Sequence, residues 1–216
     1  MEINGFKIKV FKGVYSPSED TFLLYDNIDD AGKICIEVCC GTGLIALKLA
    51  SKKAYVIAID VNKTACYNTL ANAKENSLAD KIDVVCGDLL SAIRKEAKVD
   101  IIACNPPYLP CEPETQEDIA WCGGKNGCEV ILKLIDMYSE LFKGQCPLYF
   151  IFSSYTNIDK VMKSIKKHGL VAKIVAKKEC PFFETLYLIK VAKSKTINRE
   201  DKNTIRELSS DESTGR

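Results

Sequence analysis

The sequence predicts an α/β fold: a doubly wound, seven-stranded, mainly parallel sheet with helices on both faces. Two observations predict it. Seven short apolar runs rich in β-branched residues recur along the chain, and most are continuous rather than alternating, as strands covered on both faces are. Segments of helical periodicity lie between them, and strand–helix alternation builds βαβ units whose crossovers make neighbouring strands parallel. The 216 residues contain no visible repeat and no Pro/Gly-rich linker, which predicts one domain over residues 1–192 and a polar tail over 193–216.

In chain order, "VYSPSEDTFLLYDNI" (14–28) reads as a helix start, with Ser16 as cap, Pro17 in the first turn and Glu19 closing a capping box. That reading leaves Asp20 and Thr21 unexplained. Strands are predicted over 33–38, 54–60, 81–87, 99–105, 147–154, 171–177 and 184–192, and helices over 43–52, 62–76, 129–142 and 157–167. The 129–142 segment carries apolar residues at 130, 131, 134, 135, 138, 141 and 142, one helical stripe. Beyond residue 192 only Ile197, Ile205 and Leu208 are apolar, so a mobile tail with at most one weak helix is expected.

Composition narrows the function classes. Thirty Lys and Arg against 29 Asp and Glu give a net charge of +1, which does not advertise a nucleic-acid partner. The first residues alternate charge, unlike a signal peptide, and no window approaches the roughly 20 apolar residues of a membrane span. Eleven cysteines without a C-x-x-C pair, and a single histidine, His168, do not have zinc-ligand spacing. Reduced, half-buried thiols in a cytoplasmic protein are expected, with nuclear presence also allowed.

Three predicted strands end in acids. The first closes on Glu37 and runs into "CCGTG", where Gly41 and Gly43 let the backbone turn tightly and approach a ligand before a helix begins. The second ends in Asp60, placed to accept hydrogen bonds from ribose hydroxyls, although it or Asn62 would also serve as a helix cap. The third leads into "CGDLL", with Asp88 as either a ligand-edge acid or a turn residue. An acid in the first loop repels a pyrophosphate and suits a cationic ligand. Adenosine, ribose hydroxyls and a positive amino-acid end are combined in S-adenosyl-L-methionine.

The fourth strand ends in "VDIIACNPPYLP" (99–110). Two adjacent prolines have no N–H to donate and cannot continue a ladder. With "EVCCGTG", this Asn-Pro-Pro-Tyr resembles S-adenosylmethionine-dependent methyltransferases acting on planar NH2 groups. An amide nitrogen is a poor nucleophile because its lone pair is delocalised. Two acceptors that hold both N–H hydrogens, the Asn105 side-chain oxygen and the Pro106 carbonyl, would aim that lone pair, and Tyr108 would pack flat on the planar group. The "SPSEDT" stretch and the Gly-rich, lid-like "AWCGGKNGCEVI" (120–131) resemble more narrowly the HemK-like class I methyltransferases, in the eukaryotic and archaeal branch that methylates the glutamine of the Gly-Gly-Gln motif in class I release factors. The similarity spans about residues 10 to 192 and implies a Rossmann-like fold.

Carried over by position, the resemblance implies that Thr21, Glu37, Gly41, Asp60, Asp88, Leu89 and Asn105 surround the cofactor, while Asn105, Pro106 and Tyr108 hold the substrate amide. The family usually has Gly where Cys39 stands, so a side chain there crowds the methionine end. The resemblance also implies a small zinc-ribbon activator subunit pairing with the third predicted strand, "KIDVVCG", an edge that would need cover. Other substrates fit less well. An adenine-N6 enzyme would need a base-flipping, target-binding region, and a lysine amine must first lose a proton. A non-catalytic cofactor-binding subunit is suggested only by Cys39.

Overall fold

The structure, a computed structural model, describes residues 1–28 and 32–197. A small hairpin, β1 (Glu2–Ile3) and β2 (Phe6–Lys7), precedes helix α1 (Glu19–Asn27). The body follows as β3 (Ile34–Val38), α2 (Leu44–Ser51), β4 (Tyr55–Asp60), α3 (Lys63–Glu75), β5 (Ile82–Cys86) and β6 (Ile101–Cys104). It continues through α4 (Glu129–Phe142), β7 (Leu148–Ser153), α5 (Ile158–Lys167), β8 (Val171–Glu179) and β9 (Thr185–Ala192). Strands β3 to β9 are the seven the sequence predicts, each within a few residues of its expected bounds.

They form one sheet in the order β5-β4-β3-β6-β7-β9-β8. All pairings are parallel except those of β9, which runs antiparallel to β7 and β8. From β3 the chain winds outward through β4 to β5, then crosses back to β6 on the other side of β3. The crevice outside the carboxyl ends of β3 and β6 is therefore the topological switch point, where sheets of this kind hold ligands.

The continuous apolar runs are explained by two cores. Cys35, Ala58 and Ala103 face the layer containing α1 and α2, whereas Ile36, Ile59 and Cys104 face the layer of α4 and α5. Each strand thus needs apolar residues at both parities. Ile36 is fully buried, and truncating such a side chain to alanine costs about 2–5 kcal/mol.

Three segments differ from the sequence reading. Helix α1 is capped by Ser18 rather than Ser16, because Pro17 disfavours helical backbone at the residue before it. Glu19 closes no capping box and pairs instead with Lys178. The N-terminal residues, which showed no element pattern, lie along α3 on a ladder of asparagines one turn apart. The backbone N–H groups of Lys7, Lys9 and Phe11 donate to the Oδ1 atoms of Asn76, Asn72 and Asn68 at 2.9, 2.9 and 2.7 Å. The same amides return donors to the Lys7 and Lys9 carbonyls. This lacing delivers residues 13–17 to the switch point. At the other end, residues 193–197 turn back onto the domain: Lys193 N–H donates to the Gly144 carbonyl at 3.1 Å and Ile197 is buried. The rest of the predicted tail, with Ile205 and Leu208, lies outside the described residues.

Candidate active site

A cavity of about 690 Å³ opens at the switch point, within the size range of small-molecule sites. Its wall comes from the loops after β3, β4, β5 and β6, the segment before α1 and the Gly-rich loop before α4.

On the side of β3 and β4, Glu37 is buried and its Oε2 accepts the Ala46 N–H at 2.8 Å. Burial pushes its carboxyl well above the usual range, against that N–H, and the charge of Asp60 adds to the rise. Asp60 accepts the Gly41 N–H at 2.9 Å and the Asn62 N–H at 2.8 Å, so it ties the β3 loop to the β4 loop. Burial raises its carboxyl too, with these N–H groups opposing. The cap of α3 is Asn62, which accepts the Thr64 N–H at 2.9 Å. Asp60 is therefore free of the capping role that competed for it. Leu89 and Asp88 line the cavity, but Asp88 is half exposed and ion-paired with Lys133. Gly41 lines it as expected.

Gly43 does not line the cavity, contrary to the sequence reading. It caps α2 at φ +77°, and a Cβ there would meet Thr69 Cγ2 at 2.6 Å. Its requirement is left-handed backbone and close packing of α2 on α3. Cys39 does line the cavity and also has positive φ, +57°, the conformation that favours glycine. Its thiol is hydrogen-bonded to Cys104, and this contact with burial lifts it well above the ordinary thiol range.

On the β6 side, Asn105, Pro106 and Tyr108 all line the cavity. Asn105 Nδ2 donates to Thr21 Oγ1 at 3.4 Å, while its Oδ1 is buried with no hydrogen-bond partner. Buried carbonyl oxygens are rarely left so. Tyr108 is fixed through its hydroxyl, which donates to Asp20 Oδ2 at 3.0 Å, and its carbonyl accepts from Thr156 Oγ1 at 3.0 Å. Burial, then the charge of Asp20, drives the Tyr108 hydroxyl far up, so it stays protonated.

Sequence reasoning missed Asp20 and Tyr15. Buried Asp20 accepts the Tyr15 hydroxyl at 3.0 Å beside that of Tyr108, and its Oδ1 takes the Thr21 N–H at 2.6 Å and Thr21 Oγ1 at 3.2 Å. The available signal was the Asp-Thr pair that capping left unexplained.

The Gly-rich loop is a pinned wall rather than a loose lid. Leu109 N–H donates to the Trp121 carbonyl and Gly123 N–H to the Leu109 carbonyl, at 3.0 and 2.8 Å. Gly127 passes so close to the Tyr108 carbonyl that a Cβ would stand 2.4 Å from it. Contrary to the expectation that all cysteines are reduced, Cys111 and Cys122 form a disulfide. Pairing of the two loop legs brings their Cα atoms to 4.9 Å, a proximity no spacing in the sequence displays.

Comparison with known proteins gives four findings. The family model of the methyltransferase small domain matches residues 5–122. Methyltransferase HEMK2 of Homo sapiens is 32% identical over 199 residues, covering 85% of this chain and 92% of that protein. The release factor glutamine methyltransferase of Clostridium acetobutylicum is 30% identical, over 79% of this chain and 66% of that protein. Among solved structures, the E. cuniculi Mtq2–Trm112 complex, which methylates the translation termination factor eRF1, superposes with a TM-score of 0.66 at 29% identity. That match covers 84% of this chain and 99% of the other.

Proposed function

This chain belongs to the methyltransferase small domain family, and from that premise we propose that it methylates the side-chain nitrogen of the glutamine in the Gly-Gly-Gln motif of a class I release factor. The names of the relatives support glutamine and release factor as targets. The observation that carries the reading is the buried, unpartnered Asn105 Oδ1 in an Asn-Pro-Pro-Tyr loop at the switch point.

The residues present fit S-adenosyl-L-methionine. Glu37 and Asp60 put two raised carboxylates in one cavity, and a ligand bearing positive charge would relieve both. Glu37, Gly41, Asp60 and Leu89 would hold it, with Thr21 and Asn105 at the reacting end. When bound, it supplies a methyl group on a positively charged sulfur.

The chain's own groups then act by positioning. The Asn105 oxygen and the Pro106 carbonyl accept the two N–H hydrogens of the glutamine amide and turn its lone pair toward the donor. The Tyr108 ring, held by Asp20, packs against the amide plane. Tyr108 is no general base, because its proton is engaged by Asp20. None is needed, since an N-methylated, protonated amide is a strong acid. Rate enhancement comes from orientation and preorganised acceptors.

The same reading includes a small zinc-ribbon activator; the E. cuniculi protein being found in a complex supports a partner subunit. Its place would be β5, an edge strand with half-buried Val84 and Val85. Unpaired edges of this kind invite a partner. The reading also puts the enzyme in the cytoplasm with its substrate. The test is methyl transfer from labelled S-adenosylmethionine by the chain co-expressed with the activator. Release factor should be labelled, whereas its Gln-to-Ala version and duplex DNA should not. Labelling of the Gln-to-Ala version, or of DNA instead, would overturn the assignment.

A further inference from the structure

The hydroxyl of Thr21 is saturated. A threonine hydroxyl has one proton to donate and two lone pairs to accept with. Asp20 Oδ1, 3.2 Å away, is acceptor-only when ionised, so the Thr21 proton goes there. One lone pair faces the Ser18 N–H at 3.5 Å and the other faces the Asn105 side chain at 3.4 Å. Both bonds are long, but their polarity is decided. The Asn105 atom that meets Thr21 has to be the donor NH2, and the carbonyl oxygen is left as the end without a protein partner.

We propose that Asp20 is a positioning residue: by holding the Thr21 proton it sets which end of the Asn105 amide is left for the substrate. Without an acceptor at Asp20, the Thr21 hydroxyl is free to donate to Asn105. The amide then gains by turning over, since its orphan oxygen finds a donor. The NH2 end would take the oxygen's place, and two donors would face each other where the substrate N–H should be accepted. Asp20 thereby acts on the chemical step without touching the reacting atoms. Its second oxygen, which accepts the Tyr15 and Tyr108 hydroxyls, fixes the ring that flanks the same amide.

The proposal rests on the glutamine-methylation reading for its kinetic arm but not for its structural one. The structural arm is NMR on the full chain with its activator, labelled at asparagine side chains, without substrate. Wild type should show contacts between the Asn105 NH2 protons and the Thr21 methyl group. Asp20→Ala and Thr21→Val should each lose them, the first by amide reversal and the second by losing the anchor. Asp20→Asn should keep them, because its carbonyl still serves Thr21 while its NH2 faces tyrosine hydroxyls that are able to accept. In single turnovers on release factor, Asp20→Ala should be slower by on the order of 100-fold, as for loss of an aimed acceptor. Its S-adenosylmethionine affinity should move by less than about threefold, because Glu37 and Asp60 remain. Asp20→Asn should recover most of the rate. If Asp20→Ala does not fold, Thr21→Val carries the structural arm. Retained contacts in Asp20→Ala or Thr21→Val, or an Asp20→Asn as slow as Asp20→Ala, would overturn the proposal. An inactive wild type with the expected contacts would overturn the functional reading and leave this one standing.

Discussion

Replacing Asn105 by alanine is expected to slow methyl transfer sharply while leaving the fold as stable as before, or more stable. In the structure its NH2 makes one long bond, 3.4 Å to Thr21 Oγ1, worth about 0.5–1 kcal/mol at the weak end for such bonds. Its oxygen is buried without a partner, which costs about 1–3 kcal/mol. Removing both leaves the variant about 0–2.5 kcal/mol more stable, since the side chain borders an open cavity and little new void is made. For a domain of this size that is a rise in Tm of up to about 10 °C. Losing the acceptor should slow the chemical step by on the order of 100-fold or more. Thermal unfolding and single-turnover transfer to release factor, with the Gln-to-Ala version as blank, measure the two quantities. A variant that loses more than about 1 kcal/mol yet turns over within tenfold of wild type would refute the reasoning, because that is how a turn cap behaves.

Asp60→Ala should weaken S-adenosylmethionine binding by about 1.5–3 kcal/mol in a folded protein, and calorimetry showing unchanged affinity would remove Asp60 from the site. Glu37 is raised by burial, so between its unfolded and folded pKa the folded protein holds a proton the unfolded chain has lost, and its contribution to stability falls as pH rises through that window. A cationic ligand favours the ionised form, so binding should release protons. Calorimetry in buffers of different ionisation enthalpy should show this, and Glu37→Gln should reduce it to the part that Asp60 supplies; buffer-independent heats in wild type would contradict it. Gly43→Ala should cost about 2–4 kcal/mol by denaturation, from its positive φ and the 2.6 Å approach to Thr69, and a neutral result would mean that α2 shifts away from α3.

The strands, their parallel order and half of the site were legible because each rests on chemistry local to a few residues. Continuous β-branched runs report two-sided burial. The Glu37 and Asp60 acids mark strand ends, and Asn-Pro-Pro-Tyr reads as chemistry because two prolines have no place in a ladder. What tertiary structure alone decided is which polar groups meet. Asn105 lies 84 residues from Thr21, and Tyr108 lies 88 from Asp20, so no window of sequence contains either pair. The asparagines of α3 drew no reading from the sequence, and their role appears only where the N-terminal segment takes up their amides. Gly43 had the spacing of a ligand-loop glycine, yet its demand comes from Thr69 on another helix. Cys111 and Cys122 became partners only once two loop legs paired. In each case the deciding quantity is the direction or closeness of one contact between distant segments. Composition and periodicity carry no record of it, because a hydrogen bond's polarity is settled by everything else its donor and acceptor touch.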